Sequence, residues 1–559
     1  MKKLVMPIVA LAAACLIAHG AWAAEKTWSP SNGGDMAVDA NWGGVKPTSS
    51  DTITVNKNQS APIWLSEDLT ATGGNSQFAA NFELALTNET GVSKTLSLNR
   101  IHLNGLSWTV RLTAGTLSFN NHLYMGDFSS SARDDTFIVD GSSTVLSGGS
   151  TSINVGSSYP GNALIVTNGA TVSGSQLTVG RNNQMLGTAP NRFYATNELC
   201  RVTGIGTKAD FSGLISIGSA GGNRLEIDDG ALLSGARLFV GNNNYDSTKA
   251  ATFSDASFAG GAVVVVSGGA TLMLTNTTTS VDNNHSSSIG TYSMSNRLEI
   301  VDGGKLVAVT NAFRVGGIND ISGFLAAHPG YGYSGNKMLV SGEGSGVIMR
   351  CGSQSGIWVG SKIAPDCSVT VENGATWESY GEFKVADGYV TNATLRVASG
   401  ASLSHHVYSL NIGTSANAKN AALEIDDGSV ESVDREINVK GEDSHISISG
   451  TNSHLSSPND TITFFTGTRL EVAIPKDGFT GGEPPITCKT LTFNAGSSLV
   501  VTLEKANHPG GRVVLARATN NITTNNLSIT LPDGVELDTS NAKELAVKIR
   551  SSGLIVICR

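Results

Sequence analysis

Apolar and polar residues alternate along much of this chain, in short runs and with a period of two. Leu164-x-Val166, Leu225-x-Ile227, Leu298-x-Ile300, Leu395-x-Val397 and Leu423-x-Ile425 each place two aliphatic side chains on one side of an extended backbone. Such alternation predicts strands with one buried face. No long stretch with a helical period accompanies it. Each run leads into an Asn/Asp-Gly corner, a second apolar pair, a corner of small residues and a closing Leu-x-Val-Gly.

The runs belong to a repeat. Residues 162–180 read NALIVTNGATVSGSQLTVG and residues 223–241 read NRLEIDDGALLSGARLFVG, and the two align without a gap. The turn glycine of the unit recurs at positions 115, 141, 169, 204, 230, 269, 303, 342, 374, 400, 428 and 450, at intervals of 22 to 39 residues. A closing Val-Gly or Ile-Gly recurs with it, as in Val155-Gly156, Val240-Gly241, Ile289-Gly290, Val315-Gly316 and Ile412-Gly413. Strands of three or four residues are too short to stand alone, but stacked units supply each other with parallel partners and a shared apolar column. The pattern predicts an all-β fold, a right-handed parallel β-helix of roughly a dozen or more coils with a β-rich C-terminal cap.

The corners Thr167-Asn168-Gly169, Asp228-Asp229-Gly230, Glu372-Asn373-Gly374 and Asp426-Asp427-Gly428 set Gly where a positive φ is easiest, and Asn or Asp where a short side chain can bond its own backbone. Their acidic pairs therefore read as turn chemistry rather than as a catalytic dyad or calcium site. Composition agrees with strands and turns, with 65 Gly and only 15% charged and 6% aromatic residues.

Four regions follow. Residues 1–23 read as a signal peptide, with Lys2 and Lys3 before an apolar run and Ala21-Trp22-Ala23 as the cleavage site. Residues 24–104 read as an N-terminal cap and first coils, 105–456 as the repeats and 457–559 as a β-rich cap. Cys15 allows a competing lipoprotein reading. The apolar run is too short for a transmembrane helix, and the mature chain is expected to hold no transmembrane span. Loss of the leader takes two positive charges away, from −9 to −11. An acidic chain without a basic stripe excludes nucleic acid as a partner. Five cysteines then remain, Cys200, Cys351, Cys367, Cys488 and Cys558, an odd number without CxxC spacing. No metal site and no cofactor is expected. Trp28 and Trp42 read as cover for the first coil, with sugar stacking as the alternative use.

A leader, a W…ANW…P…D opening (Trp28, Ala40-Asn41-Trp42, Pro47, Asp51), tandem L-x-V-x-N-G-A units and a second unit form, Val202-Thr203-Gly204-Ile205-Gly206-Thr207 and Val340-Ser341-Gly342-Glu343-Gly344-Ser345, resemble secreted bacterial autotransporter-passenger-like β-helix proteins of the pectin-lyase-like fold. The resemblance covers most of the mature chain. It implies a secreted or surface-associated, non-catalytic scaffold or adhesin. The roughly one hundred residues after the repeats are too few for the outer-membrane β-barrel that autotransporters carry.

The alternative is a secreted polysaccharide lyase or glycoside hydrolase of the β-helix type. The polygalacturonase-like set is missing its G-H-G, and Arg100-Ile101-His102 lacks the other members of that set. His405 and His406 are adjacent on a strand and so point to opposite faces. No catalytic residue is assigned. The longest insertions, 181–197, 242–261 and 317–335, follow the closing Val-Gly and should emerge along one edge. They carry Tyr194, Tyr245, Tyr331 and Tyr333, together with Arg181, Arg192, Phe193 and Phe324, in a chain poor in aromatics. These four tyrosines are the expected ligand contacts, for a polysaccharide or a cell-surface component.

Overall fold

The computed structural model describes residues 24–126, 133–180, 195–218, 221–242, 260–276, 286–290, 293–310, 312–317, 334–351, 356–362, 364–504 and 510–550. The leader, Cys15 and Cys558 lie outside them. The described residues form a parallel β-helix, as the alternation predicts: short strands on three faces, each bonded in register to the equivalent strand of the next coil. The chain divides into two compact units, residues 1–200 with 206–210, and residues 201–205 with 211–559.

In the first unit, Trp28 and Trp42 meet edge to face with ring centroids 5.1 Å apart. Trp28 and Met36 are wholly buried and Trp42 nearly so, and the Trp42 indole donates to Met36 O at 2.7 Å. Both tryptophans are thus committed to packing at the first coil. Early coils use long strands that bend from one face to the next, such as Leu69–Phe78 against Thr95–Leu103, with a register shift between Ala71 and Asn75. From Thr136–Asp140, Thr144–Ser147 and Ser152–Val155 through Ile437–Val439, each face has a strand of its own, until His454–Phe464 again serves two faces.

The second unit shows why the alternation was so regular. On the first face, Leu225, Val264, Leu298, Met338, Val369, Leu395, Leu423, Ile446, Leu470 and Leu499 pair in order from coil to coil, and every one is buried. Each such side chain contributes about 1.5–3 kcal/mol relative to exposure. Parallel pairing continues through Ser528–Thr530. Glu544–Ile549 then runs antiparallel between Gly511–Thr524 and Val535–Asp538, and so closes a sheet edge. Outward glutamates on the first face are neutralised locally, Glu226 by Arg224 and Glu299 by Arg297 at 3.5 Å.

The corners differ from the sequence expectation in one respect. Asn168, Asp229, Asp302, Asn373 and Asp427 themselves hold positive φ, between 49° and 57°. Three of these side chains bond a neighbouring coil rather than their own backbone: Asn168 Nδ2 donates to Asp140 Oδ1 at 2.7 Å and Asn373 Nδ2 to Ser341 Oγ at 2.9 Å, both one coil earlier, while Asp427 Oδ1 accepts from Asn452 N one coil later at 2.9 Å. Asn and Asp are selected here because they tolerate the left-handed region and can bond across coils.

A second ladder lies inside, at the residue that precedes each first-face strand. Asp135, Asn162 and Glu198 occupy it in the first unit, and Asn223, Asn296 and Asn336 in the second, all without exposure. Four of these side chains accept the backbone N–H of the residue at the same place one coil earlier: Asn162 Oδ1 from Asp135, Glu198 Oε2 from Asn162, Asn296 Oδ1 from Ala262 and Asn336 Oδ1 from Asn296, at 2.9 to 3.2 Å. The closing glycine makes room for it. A Cβ on Gly156 would lie 2.0 Å from Glu198, one on Gly241 2.4 Å from Asn296 and one on Gly290 2.2 Å from Asn336.

Glu198 and Asp135 are the ionisable members of this ladder; burial raises both carboxyls, that of Glu198 well above the ordinary value. Between the unfolded-state value near 4.5 and that raised native value, the folded chain binds more protons than the unfolded one, so stability falls as pH rises. Glu198→Gln keeps an oxygen acceptor without the charge. Its melting temperature should exceed that of the wild type at pH 7, and the difference should shrink toward pH 4. Thermal melts at the two pH values check this.

Candidate functional site

On the outer side of the second face, four consecutive strands of the second unit, Lys305–Thr310, Gly346–Cys351, Thr376–Tyr380 and Ser402–His406, line a shallow groove of about 570 Å3. Their register sorts the outward side chains into three columns. Lys305, Gly346, Thr376 and Ser402 form one, Val307, Ile348, Glu378 and Ser404 the next, and Val309, Arg350, Tyr380 and His406 the third.

The third column is a stack. The Arg350 guanidinium lies over the Tyr380 ring, 4.8 Å from its centroid, and the His406 ring stacks on Tyr380 at 4.8 Å with planes 14° apart. The phenol donates to Glu378 Oε1, and Ser404 Oγ is in hydrogen-bond contact with His406 Nε2 at 3.0 Å. The Glu378 carboxylate holds the Tyr380 phenol above its usual value, because losing the proton would set two negative charges side by side. With both ring faces occupied, Tyr380 is a rigid wall along the groove rather than an open platform.

The floor is apolar and partly in solvent. Val307 and Ile348 line it, Ile348 being 36% exposed, while Val309 and Val407, 37% and 43% exposed, lie outside the lining, Val407 just past His406. Val407 holds a φ of 79° and is spanned by a hydrogen bond from Tyr408 N to His406 O, a tight three-residue turn. A β-branched residue in that region is strained, and such strain gathers at ligand-binding edges.

His405 and His406 do point to opposite sides. His405 is wholly buried, 3.0 Å from Ser379 Oγ and edge-on to Phe383, and burial holds its imidazole down at about 4. Two other polar clusters are closed. Arg314 lies over the Trp358 ring at 4.4 Å but is only 2% exposed, and His102, stacked on Tyr124 at 5.3 Å, is likewise 2% exposed. Arg100 and His102 thus both meet Tyr124. Cys200, Cys351, Cys367 and Cys488 are thiols outside any disulfide among the described residues, and burial pushes each up to about 12. Among the described residues no group of three or more His, Cys, Asp or Glu could hold a metal ion, and no helix is long and apolar enough to cross a membrane.

Tyr194, Tyr245, Tyr331 and Tyr333, the expected ligand contacts, lie outside the described residues, as do Arg181, Arg192, Phe193 and Phe324. The groove was not anticipated from sequence. No single unit signals it, because it arises where outward residues of four units come into register.

No family model, no curated protein and no solved structure matches the chain.

Proposed function

We propose that this chain is an exported, non-catalytic β-helix of the autotransporter-passenger-like kind, a scaffold or adhesin that holds a polysaccharide or cell-surface glycan in the groove of the second face. The observation that carries the reading is the Arg350–Tyr380–His406 wall beside an exposed apolar floor, with the Thr376, Ser402 and Ser404 hydroxyls within the same groove. Sugar rings offer apolar C–H faces and hydroxyls, which such a surface matches. Strands repeat at a spacing of about 4.8 Å, so an extended chain lying across them meets the outward residues of one coil after another. Glycosidic hydrolysis by a carboxylate pair needs two such groups. The groove is lined by one, Glu378, already engaged by Tyr380.

A glycan array followed by titration of the best ligand tests this. Tyr380→Ala should weaken binding at least about tenfold, the factor that 1.4 kcal/mol represents, while Tyr380→Phe keeps the wall and most of the affinity. Glycan cleavage that Glu378→Gln abolishes would instead establish an enzyme. Binding indifferent to Tyr380→Ala would remove the groove from the function.

A further inference from the structure

Within the column Thr271, Lys305, Gly346, Thr376 and Ser402, Gly346 is the one position without a side chain. A Cβ there would lie 3.3 Å from Lys305 Nζ and 3.1 Å from Thr376 Oγ1. Its φ is not among the positive values, so the backbone does not require glycine at this point. Gly346 is itself buried, so what glycine supplies is close approach: an ammonium group from one coil earlier and a hydroxyl from one coil later lean together over its backbone and bound a notch between them.

The Lys305 ammonium is held at this notch, because Nζ donates to Gly344 O on the neighbouring coil. An ammonium group has three donors, so two remain for a ligand. In a chain with 46 acidic and 37 basic residues, the groove and its wall set Lys305 and Arg350 against the single carboxylate of Glu378. A cationic or purely hydroxylic substituent would gain little beside Lys305. An acceptor-only oxyanion would gain a charge-assisted bond from Nζ and a second from the Thr376 hydroxyl.

We propose that the notch over Gly346 receives an oxyanion substituent of the bound glycan, a sugar carboxylate or a sulfate ester, and thereby selects acidic over neutral chains. This rests on the glycan-binding reading of the same groove.

The test titrates the full-length protein with three labelled hexasaccharides: a neutral glucan, a uronan and a sulfated galactan. At least one acidic chain should bind ten or more times tighter than the neutral one, and which of them does so identifies the anion. Gly346→Ala, whose methyl would force the ammonium and the hydroxyl apart, and Lys305→Gln, which removes the charge, should each erase that preference, read as the ratio of acidic to neutral affinity within the same variant. Raising salt should weaken only the acidic ligand in the wild type. Neutral binding without acidic preference, or a preference that survives both variants, overturns the notch and leaves the groove standing. Failure of all three chains to bind overturns both the groove and the notch. Melting temperatures confirm that each variant is folded; if Gly346→Ala does not fold, Lys305→Gln alone decides.

Discussion

Gly290→Ala should destabilise the protein by roughly 2–5 kcal/mol, the range that follows from a left-handed backbone penalty added to overpacking in a full interior. Gly290 holds a φ of 78°, and its missing Cβ leaves the space filled by the Asn336 amide, 2.2 Å from where that carbon would stand. Asn336 cannot withdraw freely: Oδ1 accepts from Asn296 N and Nδ2 donates to Ser293 O at 3.1 Å. Asn336→Ala alone should cost about 1–3 kcal/mol, mainly because the buried N–H of Asn296 loses its acceptor. The double variant should be less destabilised than the two singles together, because removing the amide also removes the clash. Urea denaturation of the four proteins in a double-mutant cycle measures this; strict additivity would show that glycine and amide are not one packing unit.

The second large effect is acid sensitivity. His405 is buried with its native value at about 4, against 6.5 for an exposed imidazole. The folded chain therefore binds fewer protons than the unfolded one between those values, and stability rises with pH across that window. Its contribution is complete above about pH 6.5 and is lost as pH falls to about 4, a difference of about 3 kcal/mol at 1.36 kcal/mol per unit. His102, also held at about 4 by burial, acts in the same direction. His405→Met should flatten part of the acid limb, since Met349 occupies the matching inward position two coils earlier. Wild-type and variant melting temperatures between pH 4 and 7.5 should converge at low pH relative to their separation at neutral pH. Parallel curves would mean that His405 does not titrate with unfolding.

The two kinds of information in this chain were unequally visible. Strand alternation and the Asn/Asp-Gly corners sit within one unit, so local reading finds them, and the β-helix follows. The interior ladder does not: its members are Asp135, Asn162, Glu198, Asn296 and Asn336, chemically varied, and each works on a backbone group one coil earlier. The shared Asn and the closing Val-Gly could be seen as letters, but their partnership appears only once the coils are stacked. The groove is further from view. Lys305, Gly346, Thr376 and Ser402 have nothing in common as residues, and only register sets them side by side. Loop aromatics such as Tyr331 and Tyr333 drew the eye because rarity is a one-dimensional signal, whereas a surface column is not.

The interlock between a closing glycine and the next ladder residue also governs how such a chain can change length. A segment removed or duplicated from one ladder position to the next carries a complete glycine, corner and acceptor set, so every column on all three faces still meets its counterpart. A change of any other length within the stretch that carries the ladder would offer an amide no cavity and a backbone N–H no acceptor. Heredity in this fold is therefore quantised: insertions are free to grow outward from the corners, but the stack itself can gain or lose only whole turns.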